Sequence, residues 1–124
     1  MDDLYQEVLL EHYKNPQNKG SLSGEKNHVK VVKNINVGCG DELTVEVIIQ
    51  DQTIQDLKWN GVGCVISMAS MSVLSEYIKG KTIEEIEKID EKRMIELIGL
   101  NEIVPARKKC MMLSINTIQR AIRT

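Results

Sequence analysis

The chain has 124 residues, with 16 basic and 18 acidic side chains and a net charge of −2. This near balance excludes the strongly basic composition typical of nucleic-acid-binding proteins. The length predicts a single domain over residues 1–124. We find no run of about 20 apolar residues that would cross a membrane and no basic leader before an apolar stretch, so we expect a cytoplasmic protein without membrane association.

The first half of the chain is predicted to form one helix and three strands. Apolar residues at helical spacing predict a helix over residues 3–14, which stops before Pro16 because a residue preceding proline avoids the helical conformation. Three segments rich in β-branched residues and bounded by turn formers follow, at 29–35, 43–49 and 53–59. Their short connections predict an antiparallel meander.

The second half is predicted to be helical. A helix over residues 65–79 should end at Gly80, a residue type common just after helix C-termini. Thr82 and Asp90 are suited to cap two further helices, and Pro105 suits the first turn of the last one. Strands followed by helices predict an α+β fold, with an N-terminal helix, a three-stranded antiparallel sheet and C-terminal helices packed on that sheet.

The three cysteines lie where a thiolate would be stabilised. Cys39 shares a glycine-rich turn with Asp41, and Cys64 begins a predicted helix, where backbone N–H groups favour a negative charge. Cys110 follows the basic residues 107–109. Three widely spaced cysteines do not suggest a disulfide framework. Three thiolates and one carboxylate instead make a four-ligand set that zinc or an iron–sulfur cluster would accept.

Other interpretations of these residues are less specific. A buried cysteine can be a small core residue, and Asp41 alone would be an ordinary turn residue. His12 is predicted to pack against the core rather than bind metal. The methionines of the predicted helices are interpreted as core residues in a protein without Phe. An oxygen donor among thiolates should exchange more readily than a fourth thiolate, which suits a site that releases what it holds.

Several motifs spread from end to end of the chain are distinctive. They are residues 4–5, 12–16 and 18–20, Cys39-Gly40-Asp41, residues 61–64 with Ser67, Ala69 and Ser70, and residues 105–107 with 109–110. In this order they resemble the motifs of the IscU/SufU/NifU family of iron–sulfur cluster assembly proteins. The resemblance implies an α+β scaffold fold with its ligands gathered at one exposed end. It also implies that a cysteine desulfurase delivers sulfur as a persulfide, and that assembled clusters pass to apo-proteins.

The resemblance also implies individual roles. Cys39, Asp41, Cys64 and Cys110 become the ligands of a transient [2Fe–2S] cluster or of Zn²⁺, with Asp41 as the labile ligand and Cys110 as the first acceptor of sulfur. Lys109 stands where the IscU branch has histidine and the SufU branch has lysine, whereas the short step between the last two cysteines is typical of IscU. We predict that Lys109 is not a resting ligand, because a lysine amine must lose its proton before it can bind a metal, which is costly at neutral pH.

Two functions follow from this resemblance. As a scaffold, which is not an enzyme, the protein would assemble a [2Fe–2S] cluster and transfer it. As a zinc-dependent sulfurtransferase, it would accept sulfur and stimulate the desulfurase without holding a cluster. A structural zinc module for protein interaction and a thiol oxidoreductase are further alternatives, although the sequence has no C-x-x-C pair for the latter. The expected oligomeric state is a monomer or a homo-oligomer bridged by a cluster.

Overall fold

A computed structural model describes residues 3–22, 29–36, 40–100 and 103–123. The predicted α+β class is confirmed: one helix precedes a three-stranded antiparallel sheet, and helices follow it. The elements are α1 (Asp3–Lys14), β1 (Val29–Asn36), β2 (Asp41–Gln50), β3 (Thr53–Val62), α2 (Val65–Ile78), α3 (Ile83–Glu87), α4 (Glu91–Ile98) and α5 (Pro105–Arg123). No helix among these is both long and apolar enough to span a bilayer.

The sheet is the predicted meander, in the order β1-β2-β3. Along β2 every second side chain is buried, from Asp41 to Val47, because successive strand residues point to opposite faces. The connection to β3 is a two-residue turn in which Asp51 and Gln52 both have positive φ, at 54° and 63°. Two such residues match the right-handed twist of a hairpin, which fixes the register of β2 against β3.

The strands extend beyond their predicted ends at the edge where the candidate ligands lie. Asp41 was predicted to lie in a turn and the third strand to end at residue 59, yet β2 begins at Asp41 and β3 continues to Val62. Gly61 pairs with Leu43, and a Cβ atom at position 61 would collide with the backbone carbonyl of Glu42. Glycine therefore permits the close pairing here rather than ending the strand.

The helix boundaries agree closely with the sequence signals. The Thr82 hydroxyl accepts the Glu85 N–H at 3.1 Å, and an oxygen of Asp90 accepts the Arg93 N–H at 2.9 Å. Gly99 ends α4 with a φ of 80°. Helix α2 ends at Ile78, one residue before the predicted end.

Helix α2 lies at the centre of the molecule, in contact with α1, α4, α5 and β3, while α5 also packs on β1 and β2. The core is mainly aliphatic, as predicted, with methionines filling the space between elements and Trp59 as its large aromatic residue. Because the first residues of β2 and α2 and an early turn of α5 meet beside this core, the packing brings distant parts of the sequence together.

Candidate metal centre

Three of the four predicted ligands converge in the structure. Asp41 is the first residue of β2, Cys64 immediately precedes α2, and Cys110 lies in the second turn of α5. Their candidate ligand atoms all lie within 4.8 Å of one another. Cys39, the fourth predicted ligand, lies outside the described residues.

Asp41 is a carboxylate with 1% exposure, and each of its oxygens accepts a hydrogen bond. The backbone N–H of Cys64 donates to Oδ1 at 3.1 Å, and the hydroxyl of Ser67 donates to Oδ2 at 2.6 Å. Burying a carboxylate is costly unless it is paired or hydrogen-bonded, and these two bonds offset that cost. They also tie the start of β2 to the start of α2.

Ser67 is a residue of the centre whose role we did not predict. It lies three residues after Cys64, one helical turn away, and its Oγ is 3.6 Å from the Cys64 Sγ. The i, i+3 spacing from Cys64 was the available signal for this contact. The bond to Asp41 had no signal, since it depends on how β2 and α2 pack.

The environment of Cys64 favours its thiolate, as expected for a helix start. Burial raises the pKa of this thiol, but hydrogen bonds, chiefly the one from the Ser67 N–H, outweigh that effect and lower the pKa below its ordinary value. The nearby Asp41 charge opposes the lowering. Cys64 has an extended backbone, with φ −74° and ψ 171°, and is partly exposed.

Cys110 has a different environment from the one its basic neighbours suggest. Its side chain is fully buried, whereas residues 105–109 are exposed. Lys108 forms an ion pair with Glu91 at 3.2 Å, and Lys109 lines a cleft of about 330 Å³ between β1 and α5. The two lysines therefore lie at the exposed surface, whereas the neighbouring Cys110 is buried.

Gly63 makes room for the Asp41 carboxylate. A Cβ atom at position 63 would lie 2.7 Å from Asp41 Oδ1 and 3.1 Å from the Met68 Cε atom. These separations are too short for real contacts, so a larger residue would displace the carboxylate or the methionine. The absence of a side chain at Gly63 therefore leaves the space that the Asp41 carboxylate occupies.

His12 takes part in a different set of contacts. Its Nδ1 lies 2.7 Å from the Ser72 hydroxyl, and its Nε2 lies 3.6 Å from a Glu76 oxygen. These contacts hold α1 against α2. The structure thus has His12 packed against α2, as predicted.

The donor set fits a thiophilic metal. Tetrahedral zinc places neighbouring sulfur and oxygen ligands about 3.5 to 4 Å apart, so a group of donors within 4.8 Å needs only small adjustments. Two thiols and a carboxylate leave one coordination position for a further ligand. The same donors suit the iron atoms of a small cluster.

Residues 4–124 match the family described as the NifU-like N-terminal domain. The chain belongs to this family. It is 35% identical to the zinc-dependent sulfurtransferase SufU of Bacillus subtilis, over 98% of this chain and 91% of that protein. It is 30% identical to the iron–sulfur cluster assembly scaffold protein IscU of Thermotoga maritima, over 97% of this chain and 93% of that protein.

A solved structure extends the likeness to the fold. It is that of a candidate iron–sulfur cluster assembly scaffold protein for the SUF system from Fervidobacterium islandicum AW-1. The TM-score is 0.77 at 30% identity, and the match covers 94% of each chain. The family resemblance inferred from the sequence motifs is confirmed.

Proposed function

We propose that this single-domain protein acts in iron–sulfur cluster assembly, holding iron and sulfide through Cys39, Asp41, Cys64 and Cys110 before transferring a [2Fe–2S] cluster to apo-proteins. The observation that carries the proposal is the convergence of Asp41, Cys64 and Cys110 within 4.8 Å. A mixed set of soft and hard donors suits temporary holding better than permanent binding. Membership of the NifU-like family supports the same conclusion.

The sulfur-accepting step belongs to Cys110. Its thiolate attacks the outer sulfur of a persulfide carried by a cysteine desulfurase. A new S–S bond forms at Cys110, the persulfide bond of the donor breaks, and the donor cysteine leaves as a thiolate. The low-pKa Cys64 and the carboxylate of Asp41 hold the incoming iron.

A second function is favoured by the sequence before Cys110. Lys109 and Arg107 match the pattern of the SufU branch, and the SufU relative is named a zinc-dependent sulfurtransferase. In this alternative the same four residues would hold zinc, the metal would keep the thiols deprotonated, and Cys110 would accept the sulfur. The protein would then stimulate the desulfurase without assembling a cluster.

Two further alternatives are a structural zinc module and a thiol oxidoreductase. A structural zinc module needs its metal to fold, but this chain has an extensive apolar core built mainly from residues other than the candidate ligands. A thiol oxidoreductase needs a pair of cysteines that cycles through a disulfide. Rapid formation of a Cys64–Cys110 disulfide on mild oxidation, without loss of turnover, would favour it.

The decisive experiment is anaerobic reconstitution with iron, cysteine and a cysteine desulfurase, followed by transfer to an apo-ferredoxin. For a scaffold, a visible chromophore forms and then moves to the acceptor. For a sulfurtransferase, zinc remains bound, no chromophore forms and the desulfurase turns over faster. Cys110→Ser is the control, because both activities should be lost in that variant. Light scattering during reconstitution separates a monomer from a cluster-bridged oligomer, and fractionation of the source cells tests the cytoplasmic location.

A further inference from the structure

The hydroxyl of Ser67 lies between two of the candidate ligands. It is fully buried, 2.6 Å from Asp41 Oδ2 and 3.6 Å from Cys64 Sγ. A hydroxyl has one proton to donate, and the short distance to a carboxylate oxygen assigns that proton to Asp41. Ser67 is therefore a specific partner of the one oxygen ligand in the centre.

Asp41 already has protein partners for both oxygens, through Ser67 and the Cys64 N–H. Asp41 is almost completely buried, and its carboxylate packs directly against Gly63. When Asp41 leaves a metal, it does not need to turn into water to find hydrogen bonds. The protein itself stabilises the released carboxylate, and the Ser67 hydroxyl competes with the metal for electron density on Oδ2.

We propose that Ser67 is a positioning residue that makes Asp41 exchangeable, by stabilising the carboxylate when it is off the metal. This inference rests on the proposed function only in taking Asp41 as a ligand. Without the hydroxyl, the released carboxylate lacks a strong donor in a buried site, so the metal-bound arrangement becomes favoured. Ser67 then sets how quickly Asp41 leaves its coordination position on the metal.

The test uses the full chain loaded with Zn²⁺ and measures zinc transfer to a chromogenic chelator by stopped flow. We expect zinc release from Ser67→Ala to be about five- to tenfold slower than from the wild type. Ser70→Ala is a matched control, because Ser70 is also fully buried on α2, yet its hydroxyl has no hydrogen-bond partner within the described residues. Its release rate should equal that of the wild type.

A second pair of variants separates the hydroxyl from side-chain shape. Ser67→Thr and Ser67→Val differ only in a hydroxyl and a methyl group of similar size. Zinc release should be slower from the Val variant than from the Thr variant. This comparison tests the proposal even if Ser67→Ala does not fold.

Coupling to Asp41 distinguishes positioning from a general structural role. In an Asp41→Ala background, adding Ser67→Ala should leave the release rate unchanged, because the carboxylate through which Ser67 acts is absent. Cobalt absorption provides a second measurement, since its visible bands report whether the oxygen ligand is bound.

Equal or faster release from Ser67→Ala would overturn the proposal, as would the same slowing in the Asp41→Ala background. Failure of the wild type to bind zinc or cobalt would instead overturn the metal centre and the function built on it. The two failures are therefore distinguishable.

Discussion

The carboxylate of Asp41 combines near-complete burial with two hydrogen bonds from the protein, and this combination defines its chemistry. Release of a carboxylate from a metal has a small free-energy cost in water, because water solvates the released group. The cost is large for a buried carboxylate that has no hydrogen-bond donors. The Cys64 N–H and Ser67 hydroxyl place Asp41 between these limits. As a proposed ligand, it would be released from a metal without leaving the protein interior.

Replacement of Asp41 tests this assignment on a bound cluster. In Asp41→Ala the residue that alternates between iron and its protein partners is absent, so the reconstituted cluster should decay about tenfold more slowly. The measurement is the loss of visible absorbance after the cluster is transferred into buffer with an acceptor. Faster decay in the variant would show that Asp41 anchors the cluster instead of releasing it.

The sequence was sufficient to predict the candidate ligands, three of which lie together in the structure, but not the residues that support them. Cysteines beside glycines and at a helix start have local signals, because backbone geometry and the helix N-terminus act within a few residues. The Asp41–Ser67 bond joins residues from two elements, and the burial of Cys110 depends on the rotation of α5 against the sheet. Local sequence patterns carry neither kind of information.

At the scale of elements, buried serines of α2 attach the N-terminal segment to the rest of the protein. The Ser72 hydroxyl accepts the Gln17 N–H at 2.8 Å and hydrogen-bonds His12 Nδ1 at 2.7 Å. The carbonyl of Gln17 accepts the Trp59 Nε1–H at 2.7 Å. The loop after α1 is thus held between α2 and β3 by polar contacts.

Truncation of Ser72 measures this attachment. Ser72→Ala should lower the free energy of unfolding by about 1–3 kcal/mol, because it removes two hydrogen bonds from a buried hydroxyl. Urea denaturation followed by circular dichroism gives the value. Ser70→Ala is the matched control and should cost less than about 0.5 kcal/mol, since that hydroxyl has no hydrogen-bond partner in the part of the chain that the structure describes. Equal losses in the two variants would contradict the assignment.

A half-exposed ion pair provides a second link, from β3 to the end of α2. Lys79 Nζ lies 3.1 Å from Asp56 Oδ1, which also accepts the Leu57 N–H at 2.8 Å. Burial raises the pKa of Asp56, but the Lys79 ammonium, the Leu57 N–H and the Lys58 charge outweigh it, so the pKa lies below its ordinary value of 3.8. The folded state therefore favours the ionised carboxylate.

This shift predicts a pH dependence with a defined sign. The stabilisation is present above about pH 4, where Asp56 is ionised in both states, and is lost as the pH falls through the lower pKa of the folded protein. Asp56→Asn should lower the free energy of unfolding by less than about 1 kcal/mol at pH 7, since solvent screens the pair, and by less still at pH 3. Urea titrations with a chelator present avoid any contribution from metal release. A difference that is the same at both pH values would contradict the prediction.

Element boundaries were predictable where a single residue determines them. Thr82, Asp90 and Gly99 end or begin helices through local hydrogen bonds or a positive φ, and the structure has those boundaries. The extension of β3 through Gly61 was not predictable, because glycine ordinarily interrupts a strand. The reason lies in the paired strand: the backbone of β2 passes so close to Gly61 that a side chain there would collide with it.

At the scale of the whole molecule, the core is built mainly from residues outside the candidate metal centre, and Cys110 is the candidate ligand buried within it. The buried apolar cluster includes residues of β2, β3, α2, α4 and α5, whereas Asp41 and Cys64 lie at its edge. A core of this extent should keep the chain folded without metal. A metal that binds the folded state and not the unfolded state would then increase the free energy of unfolding by mass action.

Metal removal tests that separation. After treatment with a chelator, the protein should keep its far-UV circular dichroism and unfold cooperatively. Zinc at 100 times its dissociation constant should add about 2.7 kcal/mol, which raises Tm by roughly 8–15 °C for a chain of this length. Loss of secondary structure on chelation would mean that the metal supports the fold itself, as in a structural zinc module.

The complete burial of Cys110 sets a limit on the timing of its chemistry. A thiol without exposure reacts no faster than its surroundings open, however nucleophilic its sulfur is. Small oxidants and alkylating reagents in solution therefore meet the same barrier as a sulfur donor. A partner that opens the first turns of α5 as it docks would expose the Cys110 thiol to itself alone. The protein would then discriminate between a sulfur donor and an oxidant in solution at the docking step, before any sulfur atom is attacked.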